Sequence, residues 1–317
     1  MLQRLERIEQ RIPYYEGMIM EVRDIHPNMG LRTIYEKIQP EGIGRDQFIA
    51  LGIRLGLCME PITNRKRTTY VHRGSGYQNL LAGIDFTDVN QVWATDITYY
   101  KLSDVYYKLS DVFYYISLIM DLYSRRILGY FAADNMRAES SAKALKMALD
   151  NCGVENYDQN LIHHSDRGSQ YVSDLYSDML NDYEIRISMC SSVYENTMQE
   201  RVNGTIKNQY LKHWHIKNLI ELNKRLEDAV FAYNYDKPHS ALGKMSPVEY
   251  EKSLQSIPLN ERFKLQIHTN DRRDNIIDPN QILLLNNAYW LRGKVLTYRE
   301  KGNESRKNVR RSKHFAV

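Results

Sequence analysis

The chain has 317 residues, of which 43% are hydrophobic and 26% charged, with a formal charge of +4 at pH 7. That apolar fraction supports one large folded domain or two to three smaller ones and excludes wholesale disorder. No apolar run approaches the roughly 18 residues of a membrane helix, and the opening MLQRLERIEQRIPYYEG has no signal-peptide core, so a cytoplasmic protein without a membrane partner is expected. Cys58, Cys152 and Cys190 are odd in number and far apart, which offers neither a disulfide framework nor paired zinc ligands.

In chain order, residues 1–60 read as a small helical unit. Apolar positions recur at helical spacing in YYEGMIMEVRDIH, LRTIYEKIQ and RDQFIALGIRLGL, with breaks at Pro27–Gly30 and Pro40–Gly44. Helix, glycine-containing turn and helix are consistent with a helix-turn-helix DNA reader. Residues 61–90 read as a basic linker carrying Arg65, Lys66, Arg67 and Arg73. Residues 91–252 change character. VWATDITYY, VFYYISLIMDLYS and RRILGYFAADN are rich in β-branched and aromatic residues and predict three consecutive antiparallel strands. A helix with Ala138, Ala142, Leu145, Leu149 and Cys152 on one face follows, then strand LIHHSD, helix SDLYSDMLNDY, strand EIRISM and helices over 196–212 and 217–235. This order predicts an α/β domain with a mixed sheet. Residues 253–317 form a C-terminal extension. Its last part, 292–317, holds nine Lys/Arg against two acids, a net +7 that leaves the rest of the chain at −3. Basic segments outside an acidic body point to a polyanion partner, DNA.

The heptapeptide YYKLSDV occurs at 99–105 and again at 106–112. Threading the odd-numbered extra copy through one strand would turn every downstream side chain to the other face. A lengthened hairpin with the strands in ordinary register is expected instead, since loop closure costs little per added residue.

Three acids stand at element ends. Asp96 lies inside the first long strand, Asp166 ends the strand LIHHSD, and Glu200 sits early in the helix that begins near Asn196. A carboxylate in a central strand is costly to bury unless it is paired or bound to metal. Three at one sheet edge would form an oxygen-rich site suited to Mg²⁺ or Mn²⁺, and two such ions activate a hydroxyl and stabilise the leaving oxygen of a phosphodiester. Asn203 and Lys207 share a helical face with Glu200, an arrangement that suits a phosphate-bearing substrate. Asp121 reads as a turn-capping acid, His163 and His164 as one inward and one outward strand residue, His239 as a packing residue in a closing turn, and Tyr194 as strand packing or a base-stacking ring.

WATDIT, HSDRGSQY and the glutamate of ENTMQERVNGTIK, with DLYSRRILGY, FAYNYDKPHSALGKMSPVEY and HPNMGLRTIYEKIQPEGIGRDQF, resemble the insertion-sequence transposases of the IS-three type, over roughly residues 20–252. The resemblance implies an RNase H-like α/β core with a DDE triad at Asp96, Asp166 and Glu200, these acids also being the ligands of two Mg²⁺ or Mn²⁺ ions. It implies DNA contacts by Lys207, taken here with Asn203, Arg167, Arg65, Lys66 and Arg67 as the candidate DNA-binding set. It also implies a bacterial, nucleoid-associated enzyme that cleaves the terminal repeats of its element and joins the 3′-hydroxyl to target DNA. A homo-oligomer on DNA is expected, with an upstream helix-turn-helix subunit as fusion or partner. Residues 167–199 form a shorter spacing than in many relatives, and the duplicated YYKLSDV has no family counterpart. These departures keep open a second reading, a catalytically impaired DNA-binding relic or regulator.

Overall fold

The computed structural model describes residues 8–59, 77–102, 112–153, 160–190 and 197–267, all within the unit Met1–Ile277. Arg65, Lys66, Arg67, Arg73, Tyr194 and the tail 292–317 lie outside the described residues. The N-terminal helices are α1 (Ile12–Ile25), α2 (Leu31–Ile38) and α3 (Arg45–Arg54). Pro13 sits in the first turn of α1, where a missing N–H costs nothing. Tyr15, Ile19, Ile34 and Phe48 are fully buried among the three helices, so this unit has a core of its own.

A short strand β1 (Asp85–Phe86) precedes the long strands β2 (Val92–Leu102), β3 (Val112–Asp121) and β4 (Ile127–Ala133). Next come α4 (Ala138–Cys152), β5 (Ile162–Ser165), α5 (Asp174–Asp182) and β6 (Arg186–Met189). Then follow α6 (Thr197–Thr205), a π turn over Ile206–Tyr210, α7 (Leu219–Tyr235), α8 (Pro247–Leu254) and β7 (Leu265–Gln266). The five-stranded sheet runs β4-β3-β2-β5-β6, with β2–β3 and β3–β4 antiparallel and β2–β5 and β5–β6 parallel. Three antiparallel strands followed by two parallel ones, with helices on both faces, is the RNase H-like α/β arrangement. Among the described residues, no helix is long and apolar enough to cross a membrane.

Strand alternation divides the core in two. Val92, Ala94, Ile116, Leu118 and Met120 pack on the α6–α7 side, against Leu222, Leu226, Val230 and Tyr233 of α7. Trp93, Ile119 and Leu128 face the other way, onto Leu145 and Leu149 of α4 and Tyr176 and Leu180 of α5. Gly129 lets α4 approach β4. A Cβ there would lie 2.0 Å from the Ala144 carbonyl oxygen and 3.0 Å from Ala148 Cβ. The β2–β3 pairing is unbroken from Trp93↔Asp121 to Leu102↔Val112. The strands therefore keep one register on both sides of the duplicated heptapeptide, whose remaining residues 103–111 lie outside the described set.

Two expected boundaries move. Residues 77–90, read from sequence as the end of a linker, pack onto the core. Leu81 and Phe86 are buried, and the Leu80 N–H donates to Ser188 Oγ. Leu265 of the expected C-terminal extension is buried too, because β7 pairs antiparallel with β1. Residues 206–212, read as a continuation of one α-helix, are a π turn that runs into the 3-10 turn Leu211–His213. The π turn receives the N-terminal helices. His26 Nδ1 is 2.8 Å from the Tyr210 hydroxyl, and the Asn28 N–H donates to the Gln209 carbonyl. His26 Nε2 and Lys37 Nζ both bond Asp236, just past α7. Burial works to raise the Asp236 carboxyl, yet the bonds from Lys37 and His26 outweigh it and hold the group below its ordinary range.

Gly129→Ala is expected to cost about 1–3 kcal/mol of global stability, because α4 must retreat from the sheet. A urea midpoint that falls at unchanged slope is the readout. Asp236→Ala removes the shared acceptor and is expected to cost about 1–3 kcal/mol. Hydrogen exchange should then quicken in α1 and α2 more than in the sheet.

Candidate active site

The sheet changes from antiparallel to parallel pairing at the β2–β5 seam, where a crevice opens at the carboxyl ends of parallel strands. The parallel register runs Val92↔Ile162 to Ala94↔His164, so Asp96 and Asp166 each lie two residues past the last pair. Asp96 pairs across β3 with Leu118 and therefore shares the α6–α7 face. Helix α6 lies on that face, anchored by Gln199, whose Nε2 donates to the Leu118 carbonyl, and by buried Val202. One residue after Gln199, Glu200 stands exposed in the first turn.

The electrostatics tie the three acids together. Burial pushes the Asp96 carboxyl up to about 7, with the charge of Asp166 as the next contribution and that of Glu200 adding to it. The Ile97 N–H and the Asn203 amide, donating to Asp96 Oδ2 at 2.8 Å, work in the opposite direction. Asp166 is raised by burial as well, opposed by the Gly168 N–H that donates to its Oδ1. Lys207, in the π turn, donates to Thr98 Oγ1 at 3.1 Å, two residues along β2 from Asp96. Burial and then Lys212 lower the Lys207 ammonium, while Asp96 works to raise it.

Asn203, read from sequence as a DNA contact, is buried and commits its amide to Asp96; it orients that carboxylate from within the fold. Arg167 is half-buried, its Nε donating to the Cys190 carbonyl at the end of β6. Asp121 is fully buried and accepts the Asn90 and Ser124 N–H groups, a turn-capping role, with burial pushing it up to about 7. His163 and His164 are both buried, against the inward–outward alternation expected, because α5 covers one face of β5 through Tyr176 and the segment around Leu80, bonded to Ser188, lies on the other. His163 Nε2 bonds the Tyr176 hydroxyl, and His164 bonds Ser188 Oγ and Cys190 Sγ. Burial depresses them to about 3 and about 4, so both are neutral packing residues. Sequence reasoning missed Gln199 and Thr98, which carry no charge to draw attention and are recognisable only once α6 lies on β2.

The donors at this edge are hard oxygens, and Asn203 Oδ1 is buried with no partner among the described residues. Asp96 is lifted first by burial and then by the like charges of Asp166 and Glu200, and a hard divalent cation would relieve both effects. Among the described residues no three His, Cys, Asp or Glu side chains are drawn close enough to enclose a metal ion.

Residues 87–193 match the integrase core domain family, and residues 181–247 match a second family of the same description. An uncharacterized 31 kDa protein of insertion element IS600 from Shigella sonnei is 30% identical over 253 residues, covering 76% of this chain and 89% of that protein. The transposase of IS904 from Lactococcus lactis is 28% identical over 52% of this chain and 63% of its own. The transposase InsF of IS3A from Escherichia coli is 29% identical over 51% and 54%. Among solved structures, the HTLV-2 integrase catalytic core domain in complex with magnesium aligns with a TM-score of 0.40 at 18% identity, over 52% of this chain and 97% of that one. From the integrase-core matches and the relative spanned over nearly its whole length, the chain belongs to the insertion-sequence transposases, polynucleotidyl transferases with a DDE integrase core.

Proposed function

We propose that the chain cleaves DNA at the ends of its own element and joins the freed 3′-hydroxyl to target DNA, with Asp96, Asp166 and Glu200 as the catalytic acids. The observation that carries the reading is geometric: Asp96 and Asp166 lie two residues past the last β2–β5 pair, and Asn203, on the helix of Glu200, bonds Asp96. Asp96, Asp166 and Glu200 would hold two divalent cations, Mg²⁺ or Mn²⁺. Such ions, when bound, supply a lowered hydroxyl pKa and charge stabilisation at the leaving oxygen.

The chain's own residues do the positioning. The Asn203 amide holds Asp96 Oδ2 and so fixes the orientation of that carboxylate. Lys207, half-buried beside Thr98, offers a fixed cation to a DNA phosphate in line with Asp96 along β2. Arg167 is fastened at Nε, which leaves its terminal nitrogens for a strand passing the end of β5. In the displacement itself a hydroxyl oxygen forms a bond to phosphorus as the opposite P–O bond breaks, and the attacking hydroxyl's proton passes to solvent. Positioning and electrostatics supply the rate. DNA binding through α1–α3, through Arg65, Lys66 and Arg67 and through the basic tail, assembly as an oligomer on two element ends, and fusion to or partnership with an upstream helix-turn-helix subunit belong to the same proposal.

Asp96→Asn and Glu200→Gln are each expected to lower Mg²⁺-dependent strand cleavage by at least about a thousandfold, while DNA affinity stays within a few-fold of the wild type. Cleavage at the wild-type rate in either variant would refute the assignment and favour a relic that binds without cutting. A second expectation needs no activity. The folded-state pKa of Asp96 lies above its unfolded value, so its contribution to stability is complete below about pH 4 and is lost as pH rises through about 7. In chelator, Asp96→Asn should therefore melt at least about 2 °C above wild type at pH 8, with the difference gone near pH 4.

A further inference from the structure

Across α6 from the acids lies a cavity of about 200 Å³. At the 100° helical spacing, Glu200, Asn203 and Lys207 form one stripe, while Met198, Arg201 and Thr205, which line the cavity, form the opposite one. The other walls come from the β3–β4 turn, α2 and the turn after α7. Arg125, Arg201, Lys237 and Lys244 all line it. Lys244 pairs with Glu36, the one acid in the lining, at 3.3 Å. The guanidinium groups of Arg125 and Arg201 and the ammonium of Lys237 have no ion-pair or hydrogen-bond partner among the described residues. His239 Nε2 is buried there with no partner either.

Leaving several cations together in a concave site is costly unless an anion joins them. Two further observations point the same way. Arg125 holds a left-handed backbone at φ 62, which a side chain rarely adopts, and the turn is fixed by Asp121 accepting the Ser124 N–H. Burial, with Arg201 adding to it, lowers the Arg125 guanidinium, and burial pushes the Lys237 ammonium down to about 8. The fold thus keeps positive side chains in an environment that disfavours their charge. The hydroxyls of Thr33 and Ser240 add further donors to the lining.

We propose that this cavity is a phosphate-binding site, and that its occupant is a backbone phosphate of the DNA the transposase handles. This identification of the occupant rests on the DNA-cleaving function proposed above. A strand bound here and at Lys207 would straddle α6, so that the helix carrying Glu200 is gripped from both flanks. Recognition is of phosphate, by Arg125, Arg201 and Lys237, without base contacts.

The test uses the full chain, with Lys237→Met in the wall and Arg201→Gln at the exposed rim, where substitution leaves the fold intact. Inorganic phosphate should raise the melting temperature of the wild type above that in chloride of equal ionic strength, and both variants should lose that increment. The logarithmic dependence of duplex-DNA affinity on salt should become shallower by about 0.9 in each variant, the value for one phosphate contact. Equal phosphate stabilisation of wild type and variants would overturn the site. A phosphate increment lost in the variants with an unchanged DNA slope would overturn the DNA assignment and leave free phosphate or a nucleotide as occupant. Both readouts are independent of cleavage: if Asp96→Asn abolishes cutting while the cavity variants bind DNA like wild type, the catalytic reading stands and this one falls.

Discussion

A carboxylate in the central strand of a sheet is expensive, and most of the structure around Asp96 is arranged by that expense. Strand β2 is paired antiparallel with β3 on one side and parallel with β5 on the other, so its middle is shielded from water by neighbours. Charge placed there must be met by hydrogen bonds, by an opposite charge, or by protonation. Asn203 supplies the hydrogen bond, while Asp166 and Glu200 add like charge instead of relief. A fold evolved for stability alone would not gather three acids around a half-buried strand. The destabilisation is the usual cost of a preorganised site, where unfavourable interactions in the free protein become favourable once a ligand arrives.

Helix α6 converts that strand into a working edge. Gln199 and Val202 fix it to the sheet, Glu200 and Asn203 approach Asp96 from one flank, and Arg201 and Thr205 close a cationic cavity on the other. The π turn that follows carries Lys207 to Thr98 and presents Tyr210 to His26, so the N-terminal helices rest on the segment that continues α6. Such turns widen a helix locally and are frequent at functional sites.

Much of this was readable in advance because the strongest local signals agree with the tertiary structure. The β-branched and aromatic runs became β2, β3 and β4, the apolar stripe from Ala138 became α4, and Asp121 caps its turn. The failures have physical causes. Strand alternation predicts opposite faces for His163 and His164 because it presumes one wet face, and a parallel interior strand has none. Residues 77–90 looked like linker because β1 is two residues long and its partner β7 lies far along the chain. The π turn follows from no propensity, only from packing. Arg125, Arg201 and Lys237 are scattered in sequence, so their meeting in one cavity was invisible until the β3–β4 turn, α6 and the end of α7 were placed together.

The central claim is that Asp96, Asp166 and Glu200 act as one divalent-cation site across the β2–β5 crevice. Titration of the full chain with Mn²⁺, followed by electron paramagnetic resonance and by proton release near pH 7, tests it most directly. Saturable Mn²⁺ binding with release of protons from the acids is expected, with loss of both signals in Asp166→Asn, a substitution that keeps the shape of the side chain. Undiminished Mn²⁺ binding and proton release in Asp166→Asn would contradict it.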